Sequence, residues 1–326
     1  MKILLIDADS TIPNIALMKL STFYKTRKHD VTLIKYNIPF FPSRKKHINI
    51  VPKEYDKIFC SVIFNNNQQY IKGNNIIFGG AGYNIHSELP DYIENLECDY
   101  SIYPENNISY GYITRGCIRN CYFCIVPKKE GYIHKVNNIE DILKHKKIKL
   151  LDNNFLAYKE HEKELKHFID INLKFQFIQG LDIRLINKNN SDLLNKSKYF
   201  GDYIFAFDNI KLKNVIKEKL KLLTWIPDWR KKFYVYIHPD MKLSETLNRI
   251  LFLKSNKCLP YIMRDITCWS SEYSNFYKDI AAYCNQPKMF KNFSFEGFLN
   301  IRYTNSKRIE YSNSIYNLTL KEVLNV

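Results

Sequence analysis

Nowhere in the 326 residues do apolar side chains run unbroken for the roughly 18 positions that a membrane-spanning helix needs, so no membrane partner is expected. The opening Met1-Lys2-Ile3-Leu4-Leu5-Ile6-Asp7 carries an apolar run too short for a secretory signal, which makes a cytoplasmic location the expectation. In that compartment thiols are kept reduced, so the eight cysteines are not read as a disulfide framework. Five of them, Cys60, Cys98, Cys258, Cys268 and Cys284, stand singly and read as ordinary buried thiols. Acidic residues are also short, 33 against 49 basic ones, which leaves a formal charge of +16. That excess suits a polyanionic partner such as a nucleic acid. The lysines, however, are spread over most of the predicted helices instead of forming one basic block, so charge alone leaves a nucleic-acid partner open.

What is present points to a globular α/β protein. At 45% hydrophobic residues the chain can bury a substantial core. Lys2 to Asp7 reads as a buried strand ending in an acid, followed by an amphipathic helix through Ile15, Leu17, Met18 and Leu20 to Tyr24. Further strands are predicted at Val31–Tyr36, Tyr55–Ser61 and Asn75–Phe78, the last running into Gly79-Gly80-Ala81-Gly82. That glycine cluster reads first as a tight turn and second as a set of backbone amides for a phosphate.

From Ile108 the pattern becomes strand and helix in alternation. Strands are predicted at Ile108–Arg115, Ile148–Asn154, Phe175–Asp182, Asp202–Asp208, Phe233–His238 and Leu259–Asp265, and helices at Ile139–Lys146, Lys159–Asn172, Ser191–Tyr199, Lys211–Trp225, Ser244–Asn256 and Glu272–Asn285. At about 30 residues per unit, six βα units fill residues 108–285, the length of a partial (β/α)6 barrel of TIM type. Polar residues gather at the C-terminal ends of these strands, where parallel barrels bind ligands: Asp152-Asn153-Asn154, Gln179 with Asp182 and Arg184, Asp208, His238-Pro239-Asp240 and Arg264-Asp265. Any of them could instead cap the helix that follows, Asp208 and Asp240 as readily as not, but for Asp152-Asn153-Asn154, three acceptors after an apolar strand, the functional reading is the stronger. The chain divides accordingly into residues 1–105, 106–286 and a C-terminal extension, 287–326, whose Phe290, Phe293, Phe295 and Phe298 are expected to pack on the barrel.

The remaining cysteines, Cys117, Cys121 and Cys124, fall in the spacing CxxxCxxC within Arg115-Gly116-Cys117-Ile118-Arg119-Asn120-Cys121-Tyr122-Phe123-Cys124. Structural zinc takes four ligands, whereas a 4Fe-4S cube held by three thiolates leaves one iron with a position for another ligand. Together with Phe123 before the last cysteine, this loop resembles the cluster loop of the radical S-adenosylmethionine (radical SAM) superfamily, and Ile125-Val126-Pro127 with Gly131 resembles the methylthiotransferase form of it. The resemblance implies a 4Fe-4S cluster on Cys117, Cys121 and Cys124, with SAM as cofactor. It also implies a flavodoxin- or ferredoxin-type low-potential electron donor, and reductive cleavage of SAM to a 5'-deoxyadenosyl radical that abstracts a hydrogen from substrate. Residue by residue, it places Phe123 against the adenine and Asp152, Asn153 and Asn154 at the methionine ammonium. Gln179, Asp182 and Arg184 would hold the ribose hydroxyls and the methionine carboxylate.

The N-terminal third resembles the Rossmann-like domain that precedes the barrel in cobalamin-dependent radical SAM enzymes and methylthiotransferases. It lacks a DxHxxG motif, so cobalamin is not expected, and with only Cys60 and Cys98 ahead of the triad a second cluster is not expected either. The substrate stays open, a nucleic acid or another macromolecule being one class. Two further readings stand beside this one: an iron-sulfur electron-transfer or sensing protein without SAM chemistry, and a zinc-stabilised nucleic-acid-binding protein that completes its ligands with His134 or Cys98.

Overall fold

A computed structural model describes residues 1–38, 47–49, 54–65 and 67–324. The chain forms two compact units, Met1–Lys149 and Leu150–Val326, both mixtures of helices and parallel strands.

In the first unit, strands Asp30–Lys35, Lys2–Asp7, Lys57–Ser61 and Ile76–Gly79 lie side by side in that order, all parallel. The central strand Lys2–Asp7 is apolar at consecutive positions because both of its faces are covered. Ile3 and Leu5 pack with Leu17, Leu20 and Tyr24 of helix Ile15–Lys25, while Leu4 and Ile6 pack with Ile58, Cys60, Val62 and Ile71. Asn14 starts that helix by accepting a hydrogen bond from the Leu17 amide at 3.1 Å. Between Asp30–Lys35 and Lys57–Ser61 the described residues contain no α-helix, only the short strand Ile48–Asn49, paired with Ile71–Lys72.

Acids stitch the C-terminal edge of this sheet together. Asp7, fully buried, accepts from the Ser10 amide at 3.1 Å, from the Ser10 hydroxyl and from the Tyr103 hydroxyl at 2.8 Å. The Asp9 carboxylate accepts from the amides of Ile63 and Phe64 and from Asn67 Nδ2 at 2.8, 3.0 and 2.7 Å. Gly79 to Gly82 make a tight turn against this loop. A Cβ on Gly80, at φ +92°, would lie 2.4 Å from the Val62 carbonyl oxygen, so the approach needs glycine.

The strand predicted at Ile108–Arg115 is two short strands, Ser109–Gly111 and Thr114–Arg115, the second antiparallel to His134–Lys135. The helix predicted to reach Lys146 stops at Ile142, because the Ser109 hydroxyl takes the amides of Lys144 and His145, both at 2.8 Å.

The other predicted strands appear at Lys147–Leu150, Lys174–Phe177, Tyr203–Ala206, Lys231–Ile237 and Leu259–Arg264. In the second unit the last three pair in parallel, and helices His161–Asp170, Lys188–Lys196, Lys213–Lys221, Leu243–Ser255 and Ser274–Cys284 follow the strands in alternation. The helix predicted at Ser191–Tyr199 lies a turn earlier. Asn187 and Asn190 form a reciprocal cap at its start, and Lys198–Tyr199 is a strand beside Lys174–Phe175. Phe155, Phe168, Phe175 and Phe177 are all fully buried, and adjacent rings stand 4.5 to 6.2 Å apart.

Three helices, Pro287–Asn292, Phe295–Arg302 and Ser306–Leu324, close the chain. Phe290, Phe295 and Phe298 are buried around Tyr283 of helix Ser274–Cys284, and Phe293 is half-buried. Buried Asp279 clasps the last helix by accepting from Tyr303, Ser312 and Arg308 at 2.6, 2.7 and 2.8 Å. No helix among the described residues is long and apolar enough to cross a membrane.

Candidate functional site

The cysteine loop hangs from the hairpin of Thr114–Arg115 with His134–Lys135, Arg115 lying opposite His134. Gly116 begins it at φ +86°, where a Cβ would sit 2.4 Å from the Tyr132 carbonyl oxygen. The chain entering the cysteines can therefore press against the chain leaving them only with glycine here. The Cys117 amide donates to the Gly131 carbonyl at 3.1 Å, and the Cys124 amide to Cys121 at 3.0 Å. Helix Val126–Lys129 then carries Pro127 in its first turn, where a missing N–H costs nothing. Arg115 anchors the base, reaching Glu94 at 3.1 Å and Glu130 at 3.8 Å with its guanidinium 4.7 Å from the Tyr112 ring centre. Arg115, Glu130 and His134 also border a cavity of about 680 Å³, lined further by Lys19, Glu94 and Cys98.

All three cysteines of the loop are half-buried, and Tyr122, Phe123 and Ile125 beside them are exposed. The Arg119 amide donates to Cys117 Sγ at 3.3 Å. Of the other five, Cys60, Cys258, Cys268 and Cys284 are buried, whereas Cys98, expected to be buried, is half-buried like the triad. Burial pushes Cys98 up to about 11, Cys258 to about 12, Cys268 to about 11, and Cys60 and Cys284 higher still. They are held as inert thiols, whereas a metal needs thiolate. Among the described residues no three His, Cys, Asp or Glu side chains converge as metal ligands do. The donor set of the loop, three soft sulfurs of which one already accepts an amide hydrogen bond, nevertheless fits an iron-sulfur cluster in kind.

No protein-family model matches this chain, and no curated protein does.

The expected SAM contacts divide between the units. Phe123, 36% exposed, shares the cysteine loop, and the other six belong to the second unit. Asp152 and Asn154 are buried and Asn153 half-buried, directly after strand Lys147–Leu150. Gln179 is exposed. Asp182 and Arg184 are brought together: the carboxylate accepts from Arg184 Nε at 2.6 Å and from Nη2 at 2.9 Å, and also from the Arg184 amide. Arg184 thus holds a carboxylate of its own chain in the two-pronged grip expected for a ligand's.

Next to these, the ends of strands Tyr203–Ala206, Lys231–Ile237 and Leu259–Arg264 carry a linked polar set. Asp208 accepts from the Tyr236 amide at 2.8 Å. Burial raises its carboxyl above the usual aspartate range, against the pull of that amide and of Arg249 and Arg184. The Tyr236 hydroxyl donates to Asp265 at 2.7 Å, and His238, whose Nδ1 accepts from the Asp240 amide, has Nε2 3.8 Å from Asp265. Sequence reasoning named Asp208, His238, Asp240 and Asp265 as strand-end groups but missed Tyr236 and Arg249. Arg249 is 1% exposed, and its guanidinium donates to the carbonyls of Phe207 and Tyr236, joining two strand ends. A charge three residues after Thr246 and four before Leu253, on the apolar stripe of helix Leu243–Ser255, was the signal available for it.

Proposed function

We propose that this chain is a radical SAM enzyme, a Rossmann-like unit followed by a partial (β/α)6 barrel, acting in the cytoplasm on a substrate still to be found. The observation that carries this reading is the contrast among the thiols. Cys117, Cys121 and Cys124 lie half-buried on one glycine-pinned loop with an amide aimed at sulfur, while the other five cysteines are held protonated by burial. In this reading those three cysteines hold a 4Fe-4S cluster, which when bound and reduced supplies one electron at low potential for cleaving SAM. Phe123 offers the adenine an exposed ring. Asp152, Asn153 and Asn154 offer oxygens to the methionine ammonium, and Gln179, Asp182 and Arg184 bind the ribose and the carboxylate. The Asp182–Arg184 pair keeps the guanidinium oriented before a ligand arrives. A flavodoxin- or ferredoxin-type donor supplies the electron.

Anaerobic purification, reconstitution with iron and sulfide, and incubation with dithionite and SAM test the reading. 5'-Deoxyadenosine should form with the wild type, and Cys121→Ala should lose both the cluster absorbance and the product. A full cluster without 5'-deoxyadenosine would leave electron transfer or sensing, and stoichiometric zinc without iron would replace the proposal by a zinc-stabilised protein.

A further inference from the structure

The parallel register of the second unit sorts its strand side chains onto two faces. Phe205, Phe233, Val235, Ile237 and Ile262 share one face and are 3% exposed or less, covered by the helices packed there. On the opposite face Ile204, Tyr236 and Leu259 are also buried, but its middle is open. There Ala206 lies beside Tyr234 and Tyr234 beside Tyr261, one row across three strands, with Met263 one step further along and Lys232 one step back.

Alternation on strand Leu259–Arg264 makes the contrast plain: Tyr261 is 38% exposed, Ile262 3% and Met263 45%. Large apolar side chains at consecutive positions of one sheet face are ordinarily buried, so these two ask for a partner. The rings are also held in place. The Tyr234 hydroxyl donates to the Ile178 carbonyl at 3.0 Å, and its ring meets Tyr261 at 5.6 Å and 65°. The Lys232 ammonium stands 4.8 Å from the centre of the Tyr261 ring.

We infer that this face stacks an unpaired base of a single-stranded nucleic acid. A sheet face that shows fixed aromatic rings with a cation beside them has the two features such strands require, a π surface for the base and a positive charge for the phosphate. An apolar protein segment would match Tyr261 and Met263 but would desolvate the Lys232 charge with only the Tyr261 ring to offset it, whereas a phosphate neutralises it. The chain's net charge of +16 draws a polyanion toward it from a distance. The inference goes beyond the proposed function and does not rest on it, because no cluster or SAM takes part.

The test uses the full-length protein without iron and a short fluorescein-labelled single-stranded oligoribonucleotide of mixed sequence, followed by anisotropy. Wild type should bind. Tyr261→Ala should weaken binding by about 5- to 150-fold, the range for one base lost from a ring, while Tyr261→Phe should bind like wild type. Lys232→Ala should lower the salt slope by roughly 0.7, one phosphate's share on a single strand. The matching oligodeoxyribonucleotide tells whether the sugar is read, and either outcome of that arm is consistent with stacking once the single strand binds.

The inference is overturned if no oligonucleotide binds at low salt. It is equally overturned if a duplex of the same sequence binds as tightly as the single strand. Binding by Tyr261→Ala equal to wild type would place the contact elsewhere on a merely basic surface. Equal losses in Tyr261→Ala and Tyr261→Phe would trace the effect to the hydroxyl that both variants lack, not to stacking on the ring, and overturn it as well.

Discussion

Replacing Arg249 with methionine removes a large, fully buried side chain whose Nη1 donates to the carbonyls of Phe207 and Tyr236 at 2.9 and 3.0 Å. Methionine fills much of the volume but donates nothing. Two buried carbonyls lose a charged donor at about 1–3 kcal/mol each, and relief from burying a cation offsets part of that. A net loss of about 3 kcal/mol follows. With a urea m-value of about 2 kcal/mol/M, the unfolding midpoint of the second unit should fall by about 1.5 M. Tyr236 is also the residue whose amide binds Asp208 and whose hydroxyl binds Asp265, so the strand-end network should loosen with it. Arg249→Lys should fall in between, since an ammonium lacks the fork that reaches two carbonyls and Thr246 at once. A midpoint shift below about 0.3 M for the methionine variant, about a fifth of that expectation, would refute the claim that this guanidinium joins the strand ends.

Other predictions concern charge and thiols. Burial raises the Asp208 carboxyl, so its folded pKa exceeds the unfolded one. The favourable contribution is present below the ordinary 3.8 and lost as pH rises through the raised value, and wild type should lose stability relative to Asp208→Asn over that interval; a pH-independent gap between the two midpoints would contradict this. Asp99 has the opposite sign. Burial alone would raise it, but hydrogen bonds from Lys25, Ser101 and Ser21 bring it down to about 2, so Asp99→Asn should cost stability above pH 3.8 and progressively less as pH falls toward 2. Asp9→Ala strands the amides of Ile63 and Phe64 and the Asn67 side chain, and should destabilise the first unit by about 3 kcal/mol; retention of wild-type hydrogen-exchange protection at Ile63 and Phe64 would count against the role of that carboxylate. In iron-free, reduced protein, iodoacetamide should alkylate Cys117, Cys121 and Cys124 well before Cys60, Cys258, Cys268 and Cys284, with peptide mass spectrometry as the readout; early modification of Cys284 would show that its burial is overstated.

The strands were legible because their signal is local. Ile3 to Ile6 are apolar in succession and covered on both faces, and Phe233, Val235 and Ile237 alternate with more polar neighbours wherever the strand comes to lie. The cysteine triad was legible for the same reason, since its spacing is contained in eight residues. Helix ends were less so. Helix Ile139–Ile142 is cut short by Ser109, a hydroxyl thirty residues away, while the reciprocal cap of Asn187 and Asn190 lies within four residues.

By itself, then, the sequence determined where the chain extends, where it coils and which three cysteines share a loop, because hydrophobic period and ligand spacing act between near neighbours. Only the tertiary structure decided that Arg184 grips Asp182, that Arg249 ties Phe207 to Tyr236, and that Tyr234 and Tyr261 share a face with Lys232. Those facts depend on strand register and on helices closing over one face and not the other. Register is set between residues some thirty positions apart, which no local pattern specifies.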